Sequence, residues 1–118
     1  MSKLTIFHNP RCSKSRQTLQ LIQDAGKEVD IVEYLKTPPT ATTLTNILAL
    51  LNVDVRQMMR VKESEYKEQG LSAPELTTEQ LIEAMVATPK LIERPIVLSA
   101  NKDKAIIGRP PENVEQLF

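Results

Sequence analysis

The stretch Leu4-Thr5-Ile6-Phe7-His8-Asn9-Pro10-Arg11-Cys12-Ser13-Lys14-Ser15-Arg16 decides how the rest of the chain is read. Its β-prone apolar run, residues 4–7, ends before Asn9-Pro10-Arg11, and a helical pattern begins at Ser13. A strand that passes through a turn into a helix brings the turn's backbone N–H groups and the helix's positive end to one point. Anions collect at such a point, and a thiol there loses its proton more easily. Cys12, the only cysteine, stands at that junction among His8, Arg11, Lys14 and Arg16. Ser15 takes the second position of what would be a C-x-x-C pair, leaving C-x-x-S. The stretch reads as a reactive thiolate beside an oxyanion pocket.

Working outward, residues 13–25 carry Thr18, Leu19, Leu21, Ile22 and Ala25 as an apolar stripe at helical spacing, closed by Gly26. Residues 29–34 read as a second strand, so the chain opens with a β-α-β unit expected to be parallel and right-handed. Lys36-Thr37-Pro38-Pro39-Thr40 is a stiff break whose Thr40 can cap the next helix. Helical patterns follow at about 41–51, 54–59 and 78–87, the last preceded by the capping residues Thr77-Thr78-Glu79-Gln80. Gly70-Leu71-Ser72-Ala73-Pro74 marks a loop, and Pro89 ends the helical region. Residues 96–98 and 104–107 then read as an antiparallel hairpin, and Pro110-Pro111-Glu112-Asn113 starts a short final helix. The expected class is α/β: β-α-β, then β-β-α, the strand order of a thioredoxin-like fold with a helical insertion at about 38–88. Residues 1–118 are read as one domain.

Composition narrows the function. A chain of 118 residues with 41% hydrophobic and 25% charged residues can build a core without staples. Lys+Arg and Asp+Glu both number 15, and this neutral balance disfavours nucleic acid or an anionic membrane as the main partner. Met1-Ser2-Lys3-Leu4 leads straight into strand residues without the long apolar stretch of a signal peptide, and no segment has the length to span a membrane. A lone cysteine forms no internal disulfide, which fits a reducing cytoplasm.

The free thiol's pKa of about 8.5 leaves little thiolate at neutral pH, so a useful Cys12 needs donors or positive charge nearby. Its flanking residues, Pro10, Arg11, Ser13 and Lys14, argue against burial in an apolar core and for an exposed loop. His8, the only histidine, reads either as electrostatic support or proton transfer, or as a strand-end ring satisfied by the backbone. Ser15 reads either as a plain first-turn residue or as a hydroxyl bonded to the Cys12 sulfur. In both cases it cannot resolve a mixed disulfide, so thiol chemistry at Cys12 must borrow an outside thiol. Arg60, Arg94 and Arg109 stand out because their neighbours are apolar or proline, and a guanidinium fork suits a tetrahedral oxyanion. Arg56 is read as a surface arginine, and Lys62, Glu63, Glu65, Lys67 and Glu68 as a solvated face. Pro95, directly before a core strand, is a candidate cis proline that would bring Arg94 to the cysteine loop. No metal-ligand cluster or bound cofactor is expected.

Several segments, in order, resemble one family. They are Ile6-Phe7-His8-Asn9-Pro10-Arg11-Cys12 with Ser15-Arg16, then Tyr34-Leu35-Lys36-Thr37-Pro38-Pro39 and Met59-Arg60. Pro89-Lys90-Leu91-Ile92-Glu93-Arg94-Pro95-Ile96-Val97 and Gly108-Arg109-Pro110 complete the set. Over nearly its whole length the chain resembles the glutaredoxin-linked arsenate reductases. The resemblance implies reduction of arsenate to arsenite in a thioredoxin-like fold. It implies attack on arsenate by Cys12, oxyanion binding by Arg60, Arg94 and Arg109, and thiolate support from His8 and Ser15. It further implies glutathione as co-substrate attacking the arsenylated cysteine, and glutaredoxin completing the turnover. The alternatives are a redox-linked regulator, whose dithiol form Ser15 excludes, or a glutathione-linked thiol transferase without arsenate activity.

Overall fold

β1, Leu4–His8, is buried at every position, and the sheet is built around it. The computed structural model describes residues 3–118; Met1 and Ser2, where the expected strand entry begins, lie outside them. Among the described residues the sheet has four strands in the order β2-β1-β3-β4, with β2 at Val29–Glu33, β3 at Ile96–Leu98 and β4 at Ala105–Ile107. β2 runs parallel to β1, pairing Leu4 with Val29 and His8 with Glu33, whereas β3 is antiparallel to β1 and β4 to β3. A central strand covered on both faces needs apolar residues in succession rather than in alternation, which is why β1 shows no period of two. β2 stops at Glu33 because the Glu33 carbonyl accepts turn bonds from Lys36 and Thr37.

α1, Ser13–Asp24, turns Ser15, Thr18 and Ile22 inward. Ile22 joins Leu4, Ile6, Val97 and Val114 in a core bordered by Leu19, Leu21, Val29, Ile106 and Leu117. Ala25, expected on the same stripe, is exposed as the C-cap, and Gly26 follows at φ +72°. The closing helix, Pro111–Leu117, is a 3-10 helix packed on α1, its entry tied by Asn113 donating to the carbonyls of Ile107 and Arg109.

The chain divides into two compact units: residues up to Thr37 together with Arg94–Phe118, and Pro38–Glu93. The first carries the β-α-β and β-β-α pattern of a thioredoxin-like α/β fold. The second holds α2 (Ala41–Leu51), α3 (Ser64–Glu68) and α4 (Thr78–Ala87). Thr40 caps α2, and Thr77 with Gln80 forms a capping box on α4, as their sequences require. The expected helix at 54–59 is a 3-10 turn over Val55–Met58. An Asp54/Gln57 capping box spans the turn, and Met59 returns to extended backbone. Pro89 does not end the helical region outright, since a further 3-10 turn runs over Pro89–Leu91.

Arg56 is not a surface charge. Its guanidinium donates to Tyr66 Oη at 3.1 Å, the Leu71 carbonyl at 3.0 Å and the Ala73 carbonyl at 2.7 Å, and so pins the 66–73 segment. Glu63 and Glu65 are likewise half-buried, because Arg60 and Lys90 bind them. Among the described residues no helix is long and apolar enough to cross a membrane.

Candidate active site

β1 delivers His8 to the edge of a short turn, and the turn's own groups fix its shape. Asn9 Oδ1 accepts from the Arg11 N–H at 3.0 Å, and the Asn9 carbonyl accepts from the Cys12 N–H at 3.0 Å. Arg16 reaches back from α1 to donate to the Pro10 carbonyl at 2.9 Å. Cys12 is therefore held as the N-cap of α1, in extended backbone, with its carbonyl accepting the first helical bond from Arg16 N–H.

Contrary to the exposed loop expected from its neighbours, Cys12 is only 9% exposed. Arg11, Ser13 and Lys14 are exposed, but Cys12 continues the inward face of Ser15, Thr18 and Ile22 at steps of three and four. Burial alone pushes the thiol's pKa up. The backbone N–H of Ser15, the charge of Arg94, the backbone N–H of Lys14 and the charge of Arg109 together outweigh it, and the net shift is downward. The thiolate is thus favoured by N-terminal helix amides and two guanidinium groups.

Arg109 Nη2 lies 3.7 Å from Cys12 Sγ and is its hydrogen-bond donor. Its Nε donates to the Arg94 carbonyl at 2.9 Å, so the two arginines share one framework. The Arg94–Pro95 peptide is cis, as expected for this junction, and Arg109–Pro110 is cis as well. A Cβ at Gly108 would stand 2.5 Å from Thr18 Oγ1 and 2.7 Å from Pro95 Cγ, a role its residue type alone does not reveal. Its N–H donates to the Pro95 carbonyl at 2.9 Å. Only glycine lets the end of β4 lie against α1 and Pro95, which sets Arg109 beside the sulfur. A glycine directly before Arg109-Pro110 was the available signal.

His8 is buried, and its Nδ1 shares a 2.6 Å hydrogen bond with Ser15 Oγ. The Asn9 N–H donates to the same oxygen at 3.0 Å. The Ser15 hydroxyl thus ties strand to helix, while its backbone N–H serves the sulfur. Burial lowers the pKa of His8, Glu33 opposes that shift and Arg16 adds to it. The net shift favours the neutral ring. The Ser15 hydroxyl is bonded to His8 rather than to the Cys12 sulfur.

Arg60 belongs to the second unit. Its N–H donates to the Leu91 carbonyl at 2.7 Å, beside the Met59–Ile92 bridge, and its guanidinium is paired with Glu63. The first unit thus gathers Cys12, His8, Ser15, Arg94 and Arg109, and Arg60 belongs to the second. Among the described residues no group of three His, Cys, Asp or Glu side chains is placed to hold a metal ion. The arrangement can do one thing well: present a thiolate to a small oxyanion under two cationic forks.

The ArsC family profile matches residues 7–117. The chain is 50% identical to the Escherichia coli (strain K12) "Uncharacterized protein YfgD" over 98% of this chain and 96% of that one. It is 47% identical to the "Arsenate reductase" of Neisseria meningitidis (serogroup B, strain ATCC BAA-335 / MC58), covering 100% of both chains. Among solved structures it resembles the "Arsenate reductase from Vibrio cholerae" with a TM-score of 0.95 and 43% identity, over 99% of this chain and 98% of that one.

Proposed function

We propose that this chain, which belongs to the ArsC family, reduces arsenate to arsenite with Cys12 as nucleophile. The observation that carries the proposal is the Cys12 sulfur at the head of α1, 3.7 Å from Arg109 Nη2 and within the field of Arg94. The thiolate attacks arsenic, an S–As bond forms, and one arsenate oxygen leaves as water once protonated. Arsenic is still pentavalent at this stage. Arg94 and Arg109 hold the oxyanion's oxygens, and Arg60 is the third arginine of the set. His8 and Ser15 hold the turn that presents the thiolate.

The electrons must come from outside, because Ser15 has no redox chemistry. Glutathione thiolate attacks the Cys12 sulfur, an S–S bond forms, and the S–As electron pair moves to arsenic, which leaves as arsenite. Glutaredoxin then attacks the glutathione sulfur and returns Cys12 as a thiolate. Two thiols lose two electrons and arsenic gains both, so no bound cofactor is needed. A free thiol working with these reductants belongs in the cytoplasm. We read residues 1–118 as one functional domain of this kind.

The test supplies arsenate, glutathione and glutaredoxin with NADPH-coupled glutathione recycling and follows NADPH loss. Turnover should depend on every component and vanish in Cys12→Ser. Enzyme quenched during turnover should carry a glutathione-sized addition on Cys12. Full activity with thioredoxin and its reductase in place of glutathione would overturn the mechanism.

A further inference from the structure

We infer that Arg11 and Lys14 form a docking rim that recognises the thiol discharging Cys12 by its carboxylates. The inference deepens the arsenate-reducing reading and rests on it for the thiol's role. The neutral total conceals a local charge imbalance. Before Asp24 the chain has Lys3, Arg11, Lys14 and Arg16 but no Asp or Glu, although the whole chain balances 15 against 15.

Folding does not favour this arrangement. The first turn of α1 contains no acidic residue and carries Lys14, a cation at the positive end of the helix. Arg94 and Arg109 bring further positive charge to the same sulfur. Arg16 at least donates to the Pro10 carbonyl. Among the described residues the side chains of Arg11 and Lys14 have no ion-pair or hydrogen-bond partner, and both residues are exposed.

The ligand class follows from the division of labour. Arg109 meets the sulfur directly, where a small oxyanion would sit. Arg11 and Lys14 flank Cys12 at the preceding position and two positions on, outside that contact. Two exposed cations beside a recessed thiolate suit a peptide thiol with a carboxylate on each side of its sulfur. An uncharged thiol gains nothing from them.

The first measurement needs no turnover. Cys12 is the sole cysteine, so mass spectrometry reports its alkylation alone. The rate with iodoacetate, an anion, is divided by the rate with neutral iodoacetamide. Both probes attack the same thiolate, so the ratio cancels any change in ionisation. In Arg11→Glu/Lys14→Glu the ratio should fall by about two- to thirtyfold, the span of two surface charge contacts. Arg11→Gln/Lys14→Gln should fall less, and raising salt should shrink the wild-type ratio toward the variants'.

The second measurement compares kcat/KM for glutathione with that for 2-mercaptoethanol in arsenate reduction. The charge-reversed variant should lower the glutathione-to-mercaptoethanol ratio. An alkylation ratio unmoved by charge reversal overturns the rim, whatever turnover does. An unchanged thiol ratio, with the alkylation ratio shifted, overturns carboxylate recognition of the reductant. Failure of the function reading looks different: wild-type protein would reduce no arsenate with any thiol, while the alkylation ratio still responded to the rim.

Discussion

Replacing Arg109 with Ala removes a side-chain donor to the Cys12 sulfur and the bond that ties Arg109 to the Arg94 carbonyl. At the observed 3.7 Å, two unit charges interact by about 1 kcal/mol at the dielectric of bulk water and by about 4 kcal/mol at an effective value near 20. Arg109 is exposed, so the smaller figure governs, and about 1 kcal/mol corresponds to a roughly fivefold loss of thiolate at a pH below the thiol's pKa. The oxyanion loses a charge-assisted contact as well, expected to lower kcat/KM for arsenate by roughly ten- to a hundredfold. Arg109→Lys separates the two losses. A lysine keeps a positive charge near the sulfur but lacks the fork that reaches both Cys12 and the Arg94 carbonyl. Lysine should therefore restore most of the alkylation rate and little of the arsenate kinetics. The assay is iodoacetamide alkylation across pH, read by mass, beside steady-state arsenate reduction. An alanine variant with the wild-type alkylation profile would refute the role given to Arg109 in ionising Cys12.

Gly108→Ala should destabilise the protein by about 1–3 kcal/mol in urea unfolding, because the added methyl meets Thr18 Oγ1 at 2.5 Å and Pro95 Cγ at 2.7 Å. A wild-type midpoint would show that the strand end can retreat at no cost. His8 is buried with a lowered pKa, so the unfolded chain binds its proton first as pH falls. Stability should hence rise with pH through the window just below about 6.5 and be lost as pH drops through it. In His8→Asn, urea titrations from pH 5 to pH 7 should lose that part of the slope. Arg56→Ala leaves the Leu71 and Ala73 carbonyls without their donor and should cost about 1.5–3 kcal/mol. Hydrogen exchange should accelerate in 66–73 in that variant, and unchanged protection there would count against Arg56 as the segment's anchor.

Local chemistry made much of this protein legible from residues alone. The continuous apolar run of β1, the stripe of α1 and the caps at Thr40 and Thr77 each depend on neighbours a few positions away, and each formed as its sequence requires. Pro95 as a cis proline before β3 was readable from the X-Pro bond taken together with the thioredoxin-like succession of elements. Where short segments could satisfy themselves in more than one way, the reading was less exact. The 54–59 stretch chose a self-capped 3-10 turn over a helix, and the closing helix became 3-10.

Side chains that act across the fold were not legible. Arg56 looks like any surface arginine until Tyr66, Leu71 and Ala73 fold around it, and Glu63 and Glu65 look solvated until Lys90 pairs with them. The polar flanks of Cys12 hid its burial, because exposure depends on which face of α1 the residue extends. Sequence by itself determined the strand–turn–helix around Cys12, the succession of elements along the chain and the choice of candidate residues, since these follow from residue type and short-range spacing. Tertiary structure alone decided that Gly108 brings Arg109 within 3.7 Å of a sulfur 97 positions earlier, and that His8 is bonded to Ser15. The Arg109–Cys12 distance depends on how β4, Pro95 and α1 pack together, and no local pattern encodes a close approach between segments so far apart; the His8–Ser15 bond depends on how β1 and α1 lie against each other.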